Sequence, residues 1–386
     1  MEGRKVTEAV PPTRGIGSPQ PCDPGTSVLA ALGDRNLVFS EDRQAIYELH
    51  DLAAFVWRCL DEGLSPDQIV HNLVDTGVAR DEARRSVTAT LEELSVLRST
   101  TAASPPSAPP ATTERLARLT LAIAGMIVQL HVSKTLLADV QAVFGHLVTD
   151  AHETDVQLCV RVIGSTVHFL PPGRAESSCE LSHFVPLLKA QLIDSVLRCA
   201  QYEVALHAAA VARKDDALLL VGSPGAGKTT LGIALARAGF EPISDDVLLL
   251  DQDGRVTGLP FPFTAKATSW SLISSQWPDL TFEPSYCRPD GQTVSYINQI
   301  PLALSQPRHI EFVILLDRQD RGPSCVHDLD LTHALKALIE EGATRDERLS
   351  AVGFKSLVDA LRKARCCRLT YSDLSGAVDA VRRLYP

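Results

Sequence analysis

The chain contains the segment Ala217-Leu-Leu-Leu-Val-Gly-Ser-Pro-Gly-Ala-Gly-Lys-Thr-Thr-Leu231, on which the interpretation of the surrounding sequence depends. A short apolar run leads into Gly222-x-x-x-x-Gly227-Lys228-Thr229, and a helical pattern follows. This order of strand, glycine-rich loop and helix is typical of a phosphate-binding P-loop. The segment therefore predicts that the chain binds ATP or GTP.

The P-loop also predicts what its residues contact. Its glycines let backbone N–H groups point at a polyphosphate, together with the N-terminus of the helix. Lys228 would bring positive charge to the β- and γ-phosphates, and the Thr229 hydroxyl would ligate Mg²⁺. The predicted nucleotide-binding residues of the loop are Gly222, Ser223, Pro224, Gly225, Ala226, Gly227, Lys228, Thr229 and Thr230.

The composition limits the class of protein and its partners. The chain has 386 residues, which predicts two or three domains, and a net charge of −10. This charge argues against a nucleic-acid or anionic-membrane partner, because phosphate groups select basic surfaces. The nine cysteines form no Cys-x-x-Cys pair, so they predict reduced thiols rather than disulfides or a zinc site.

Two further features predict the location of the protein. The N-terminus lacks the apolar segment of a signal peptide. The longest apolar stretch, Leu119–Val132, is too short to cross a bilayer. We therefore expect a cytoplasmic protein with small-molecule or protein partners and no membrane contact.

Changes in composition along the chain predict five segments. Residues 1–28, rich in Pro, Gly and Ser, are expected to be flexible. Residues 29–98 are predicted to form a winged-helix module, and residues 99–114 a linker of Pro, Ser, Thr and Ala. Residues 115–200 are predicted to form a small α/β subdomain without visible chemistry, and residues 201–386 the P-loop core. The predicted fold class is α/β.

The N-terminal module is predicted from a short ribbon followed by helices. Leu37–Phe39 and Ala45–Leu49 have the pattern of a two-stranded ribbon. Helices are predicted over Asp51–Asp61, from Ser65-Pro66 onward, and over about Arg80–Leu94.

This module is similar to the PqqD family. The resemblance lies in Ala45-Ile-Tyr-Glu-Leu49, Ala53-Ala-Phe-Val-Trp57-Arg-Cys-Leu60-Asp61-Glu-Gly63, Ile69-Val-x-x-Leu73 and Leu91-x-x-Leu94. It implies that residues 36–98 bind the leader segment of a ribosomally made precursor peptide, as an extra strand beside the ribbon and against a helix.

The module has two alternative interpretations. A DNA-binding winged helix is disfavoured, since residues 30–98 contain thirteen Asp and Glu against seven Lys and Arg. A packing or interaction domain without leader affinity stays open.

A histidine and two aspartates flank the P-loop in sequence. His207 lies in an apolar run that predicts one strand over Val204–Val211, and Asp245 and Asp246 close a short strand after the P-loop helix. If that strand lies beside the P-loop strand, the pair sits next to the bound phosphates, because ligands collect at the carboxyl ends of strands in open α/β sheets. The structural alternatives are a core histidine and a solvated turn.

With these residues, the P-loop core resembles the HPr kinase/phosphorylase family, which is related in fold to the ATP-dependent phosphoenolpyruvate carboxykinases. The resemblance implies phosphorylation of a serine hydroxyl, with Asp246 as general base, Asp245 assisting the Mg²⁺ shell and His207 bordering the pocket. Coupling between adjacent carboxylates is expected to raise the pKa of one of them.

The resemblance to that family has a departure downstream. The family's loop that contacts both phosphate and the carrier protein has no clear counterpart, so HPr itself is not the expected substrate. In its place stands Leu259–Trp270, where Lys266 is a predicted phosphate contact.

A rival acidic site follows another apolar run. Ile310–Leu316 and Asp317 have the form of a Walker B segment, but Arg318 follows where a hydrolytic carboxylate would stand. We favour a plain central strand whose Asp317 caps a turn.

The combined hypothesis is a Mg²⁺- and ATP-dependent kinase. It phosphorylates a hydroxyl, with serine as the favoured acceptor, on a precursor peptide or protein held by the module. A nucleotide-gated peptide-binding or chaperone protein and a small-molecule kinase are the alternatives. The acceptor, the reversibility of transfer and the oligomeric state, a homo-oligomer included, stay open.

Overall fold

The computed structural model describes residues 27–41, 44–49, 51–95, 116–171, 176–303, 306–340, 342–343 and 349–385. The expected linker at residues 99–114 therefore lies outside the described residues, as does most of the expected flexible segment at residues 1–28. Within the described ranges, no helix is both long and apolar enough to span a membrane.

The N-terminal module is a small antiparallel sheet followed by helices. Its elements are β1 (Ser27–Leu32), β2 (Arg35–Ser40), β3 (Ala45–Leu49), α1 (Asp51–Asp61), α2 (Pro66–Asp75) and α3 (Arg80–Ser95). The predicted start of α2 is confirmed: the Ser65 Oγ accepts a hydrogen bond from the Gln68 backbone N–H (3.4 Å), and Gln68 Oε1 accepts one from the Ser65 N–H (2.8 Å).

The prediction of a two-stranded ribbon is wrong, because β1 pairs with β2 in register from Ser27 to Leu32. The strand begins two residues inside the segment expected to be flexible. Its sequence, Ser-Val-Leu-Ala-Ala-Leu, lacks the alternation of a half-buried strand, although Gly33-Asp34 could have marked a tight hairpin turn. Gly33 adopts a φ of 61°, which favours glycine.

The segment after the linker forms a second sheet with helices on it. Its elements are β4 (Ala117–Ile123), β5 (Met126–Val132), α4 (Leu137–Phe144), β6 (Val156–Ile163), β7 (Thr166–Leu170), β8 (Ser177–Glu180) and α5 (Phe184–Cys199). The strands pair in the order β4-β5-β6-β7-β8. Their core continues into the body, since Leu249 and Phe261 belong to the same buried cluster.

The remaining elements build the P-loop core. They are β9 (Val204–Leu206), β10 (Ala209–Arg213), β11 (Asp216–Val221), α6 (Lys228–Arg237), β12 (Glu241–Ser244), β13 (Leu248–Leu250), β14 (Arg255–Gly258), β15 (Phe263–Lys266), α7 (Ala267–Gln276), β16 (Ser285–Cys287), β17 (Thr293–Ile297), β18 (Arg308–Arg318), β19 (Cys325–Asp328), α8 (Leu331–Glu340), β20 (Gly342–Ala343), α9 (Ala351–Lys363), β21 (Arg365–Tyr371) and α10 (Leu374–Arg382). A separate small sheet has the order β15-β17-β16.

The central sheet has the order β12-β10-β11-β18-β14-β13-β9-β20, with β21 beside β18 and β19 beside β21. The single strand predicted over Val204–Val211 is wrong. It is interrupted at His207 and Ala208, so that β9 pairs with β13 while β10 pairs with β11. Apart from His207, the run is apolar and contains no Gly or Pro that would mark such a break.

The N-terminal sheet packs directly on the P-loop core. Phe39 on β2 stacks on Phe354 of α9 with ring centroids 4.9 Å apart, and both rings are buried. The Gln44 side chain donates to the Leu349 carbonyl (2.8 Å) and accepts from the Leu349 N–H. The module and the core therefore share one hydrophobic cluster.

Candidate active site

The P-loop has the local structure that its sequence predicts. Strand β11 ends at Val221 and helix α6 begins at Lys228, with Gly227 between them at a φ of 97°. The buried Lys228 ammonium donates a hydrogen bond to the Gly222 carbonyl at the start of the loop. Both ends of the loop are thus fixed around the region where a polyphosphate would lie.

The aspartate pair meets the P-loop at the same edge of the sheet, although not as predicted. The strand that the pair follows, β12, is not next to β11, because β10 lies between them. Since β10 is antiparallel to both, β11 and β12 run in the same direction and end at the same edge. Asp245 and Asp246 therefore reach the P-loop from one strand further away.

Asp245 is buried against the first turn of α6. Its Oδ2 accepts a hydrogen bond from the Thr264 N–H (2.7 Å), and its side chain is within reach of Thr229. Burial raises the pKa of Asp245 to about 6, and the Asp246 charge adds to this against the lowering effects of Lys189, Thr264 and Thr229. The predicted rise in the pKa of one carboxylate of the pair is therefore present, with burial as its main cause.

Asp246 has a different environment. Lys189 Nζ lies 3.1 Å from its Oδ2, and His207 Nδ1 lies 2.9 Å from its Oδ1. The Lys189 charge holds the pKa of Asp246 well below its usual range, and His207 adds to this effect. Asp246 is therefore the carboxylate that stays ionised, and a third of its side chain is exposed to the cavity.

These groups line one open cavity of about 1060 Å³. Of the predicted site residues, ten line it: Pro224, Gly225, Gly227, Lys228, Thr229, Thr230, His207, Asp245, Asp246 and Lys266. The other three, Gly222, Ser223 and Ala226, belong to the P-loop but not to the cavity wall. The structure thus brings the separate sequence motifs together in one place.

The rival acidic residue stands apart from the cavity. Strand β18 is parallel to β11 and adjacent to it. Asp317, at its end, accepts a hydrogen bond from Gln319 Nε2 (2.6 Å), lies 3.8 Å from Arg368 Nη1, and is not a lining residue, whereas Arg318 is. This geometry agrees with a central strand whose aspartate is held in the following turn.

Sequence reasoning missed Lys189, which comes from the subdomain where no chemistry was visible. It lies in an apolar helix, four residues after the buried Val185 and one after the buried Leu188. The available signal was its helical spacing from these apolar residues, which puts a lysine on the apolar face of a predicted helix. A lysine on such a face indicates a buried partner, because lysine is almost never fully buried without one. Thr264 and Tyr371 were also missed, and both line the cavity.

The residues that could hold a divalent cation are few. Asp245 Oδ1 is buried and accepts no hydrogen bond within the described structure. Among the residues that the structure describes, no group of three or more His, Cys, Asp or Glu side chains could hold a metal by itself. The site fits a cation that arrives with a nucleotide, because Mg²⁺ is commonly held by one or two protein groups and the substrate phosphates.

Comparisons with known proteins find a family match in the N-terminal part of the chain and a similar solved structure. Residues 36–97 match the family model "Coenzyme PQQ synthesis protein D (PqqD)", so the predicted PqqD-like module is confirmed. A similar solved structure is that of the Hpr(Ser) kinase/phosphatase from Coxiella burnetii, which is 11% identical, covers 47% of this chain and 95% of that chain, and has a TM-score of 0.24. A search of curated proteins finds no match.

Proposed function

We propose that the protein is a kinase that transfers the γ-phosphoryl group of ATP to a hydroxyl, preferably serine, of a ribosomally made precursor peptide. One observation carries the proposal: the P-loop, the aspartate pair and His207 line the same cavity. Phosphoryl transfer requires alignment, charge neutralisation and a group near the acceptor hydroxyl, and these residues supply each of them.

The nucleotide end of the site is formed by Lys228 and Thr229. Lys228 is held by the Gly222 carbonyl at the mouth of the loop, where it would contact the β- and γ-phosphates. Thr229 and the unpartnered Oδ1 of Asp245 would hold Mg²⁺. When bound, Mg²⁺ neutralises charge on the phosphates.

The acceptor end of the site is formed by Asp246 and His207. Asp246 is ionised and partly exposed to the cavity, so it can accept the proton of the acceptor hydroxyl as that oxygen bonds to phosphorus. His207 orients the carboxylate through Nδ1. Lys266, on the cavity wall, is a further contact for phosphate.

The PqqD module supports a peptide as the acceptor. Among the described strands, β3 pairs only with β2, so its outer edge has backbone groups available for an added strand. Tyr47 and Leu49 on β3 pack with Trp57 of α1 and form the helix-side wall beside that edge. A leader added there would bring the rest of its peptide to the docked core, which raises its local concentration.

The test is transfer of labelled phosphate from γ-labelled ATP. The probes are precursor peptides encoded by genes next to this one, and an equimolar mixture of synthetic peptides that each carry one serine. We expect a mass increase of one phosphate on a peptide. Lys228→Ala and Asp246→Asn should abolish transfer while binding of a fluorescent leader peptide to the full chain survives.

Two outcomes would contradict this proposal. If ATP and peptide bind but the peptide mass never changes, the protein is a nucleotide-gated binding protein. If Asp246→Asn keeps most of the activity, Asp246 does not take the proton.

A further inference from the structure

Lys189 is a buried ammonium whose ionic partner is the proposed catalytic carboxylate. Its side chain is 6% exposed, and its Nζ lies 3.1 Å from Asp246 Oδ2 and 2.9 Å from Thr264 Oγ1. The ring centroids of Phe261 and Tyr296 are each 5.9 Å from the same nitrogen. The ammonium is therefore enclosed by one hydroxyl, two aromatic rings and the Asp246 carboxylate.

Lys189 stays protonated in this environment. Burial disfavours the ammonium, but the Asp246 charge outweighs this, so the pKa of Lys189 lies above its ordinary value. A buried ion pair is not needed for stability, since apolar side chains of similar size often serve as well or better. The pair is better explained by the carboxylate that it holds.

Lys189 also fixes how Asp246 presents its oxygens. Lys189 binds Oδ2 and His207 binds Oδ1, so rotation of the carboxylate is restrained from both sides. The two partners come from different parts of the chain, α5 of the subdomain and the junction between β9 and β10. This restraint fixes the directions in which the remaining lone pairs of the two Asp246 oxygens can accept a proton.

We propose that Lys189 is a positioning residue for phosphoryl transfer: it locks the Asp246 carboxylate in the orientation that accepts the proton of the acceptor hydroxyl. This inference rests on the proposed function and assigns the subdomain of residues 115–200 a part in the site. In the step, the acceptor oxygen bonds to the γ-phosphorus, the bond from that phosphorus to the bridging oxygen breaks, ADP leaves, and the hydroxyl proton moves to Asp246.

Orientation and proton affinity make opposite predictions for the loss of Lys189. Removing the ammonium would make Asp246 a stronger base, which would speed transfer if basicity limited the rate. It would also free the carboxylate to rotate, which would slow transfer if alignment limits the rate. Because phosphoryl transfer depends mainly on alignment and charge, we expect the slower rate.

The experiment compares Lys189→Met with the wild type on a peptide from the labelling assay. We expect kcat to fall about 100-fold, the low end for loss of a proton-transfer group, while KM for ATP and binding of a fluorescent ATP analogue change less than about two-fold. Lys355→Met, an exposed lysine in helix α9, is the matched control and should behave as wild type.

Two further variants separate positioning from folding. In Lys189→Met/Asp246→Asn both members of the charge pair are removed together, so this protein should melt close to the wild type. In Lys189→Ala, added ethylammonium should recover part of kcat, and ethanol should not. A purely structural lysine would give no such recovery.

The outcomes distinguish this inference from the function on which it rests. If the wild type labels no peptide, the proposed function fails, and the positioning role fails with it. If the wild type labels the peptide and Lys189→Met is equally fast or faster, only the positioning role is overturned.

Discussion

The Tyr371 hydroxyl donates a hydrogen bond to the Ala226 carbonyl, 2.7 Å away, and so joins the end of strand β21 to the P-loop. Tyr371 is buried, and its hydroxyl occupies the space where a side chain on Gly227 would begin. The loop therefore takes its shape from a strand that lies far away in sequence. The glycine at position 227 is required both by its φ of 97° and by this contact.

The first prediction concerns that hydrogen bond. Tyr371→Phe keeps the ring and removes the donor, which should cost about 1 kcal/mol and raise the Kd for ATP about five-fold. Titration with a fluorescent ATP analogue measures the change. Tyr385→Phe is the control, because the buried Tyr385 hydroxyl has no hydrogen-bond partner in the described structure and should be dispensable.

The second prediction concerns Gly227. A methyl group there would overlap the Tyr371 hydroxyl and would need a positive φ, so Gly227→Ala should weaken ATP binding at least ten-fold. Gly225 also has a positive φ, of 91°, but a carbon added there meets nothing within 4 Å. The Gly225→Ala variant should therefore bind ATP more tightly than Gly227→Ala.

Adding Tyr371→Phe to Gly227→Ala separates the two costs. The double variant should recover the part of the lost affinity that is due to overlap. It should keep the part that is due to backbone strain, about 1 kcal/mol, and the loss of about 1 kcal/mol that Tyr371→Phe causes by itself. Equal affinities for Gly225→Ala and Gly227→Ala would show that Tyr371 does not constrain the loop.

The third prediction uses the pH dependence of Asp245. Its pKa is raised from 3.8 to about 6, so between these values the folded protein holds more protons than the unfolded chain. Stability therefore falls as pH rises through this window, and the cost is complete above it. In EDTA and without nucleotide, Asp245→Asn should be more stable than wild type at pH 8 by about 1 to 3 kcal/mol.

The gain from Asp245→Asn should shrink as pH falls through about 6 and vanish well below 3.8, where the wild-type carboxyl is protonated in both states. Urea unfolding at pH 4 and pH 8 checks this. Asp317→Asn, outside the cavity, serves as control. In the presence of Mg²⁺ and ATP the order should reverse, because the substituted side chain is a poorer ligand for the cation. A stability difference between Asp245→Asn and wild type that does not change with pH would contradict the raised pKa of Asp245.

The parts of the site that sequence could predict are those in which one short segment fixes its own geometry. The P-loop is such a segment, because its glycines, lysine and threonine act within a single turn. The start of α2 at Ser65 is another, since the capping residues are local. Asp245 and Asp246 needed a family resemblance, because the sequence gives no sign of which strands are neighbours.

The parts that sequence could not predict depend on contacts between distant segments. Lys189 meets Asp246 across 57 residues, and Tyr371 meets Ala226 across 145. The interruption at His207 exists because β9 and β10 join different neighbours. Each of these is set by tertiary packing, which periodicity along the chain does not report.

The last prediction concerns the packing of the N-terminal sheet on the core through Phe39 and Phe354. Both rings are buried, so Phe39→Ala should destabilise the protein by about 3 to 5 kcal/mol. Because the sheet and the core share one cluster, we expect a single unfolding transition for both.

Trp57 reports on the module once Trp270 and Trp277 are replaced by Phe, and a bound fluorescent ATP analogue reports on the core. In urea the two signals should change together in the wild type and shift together in Phe39→Ala. A module that unfolds at lower urea while nucleotide binding persists would instead identify it as an independent, tethered domain, and only then would deletion of residues 1–112 be a clean test of what the core does alone.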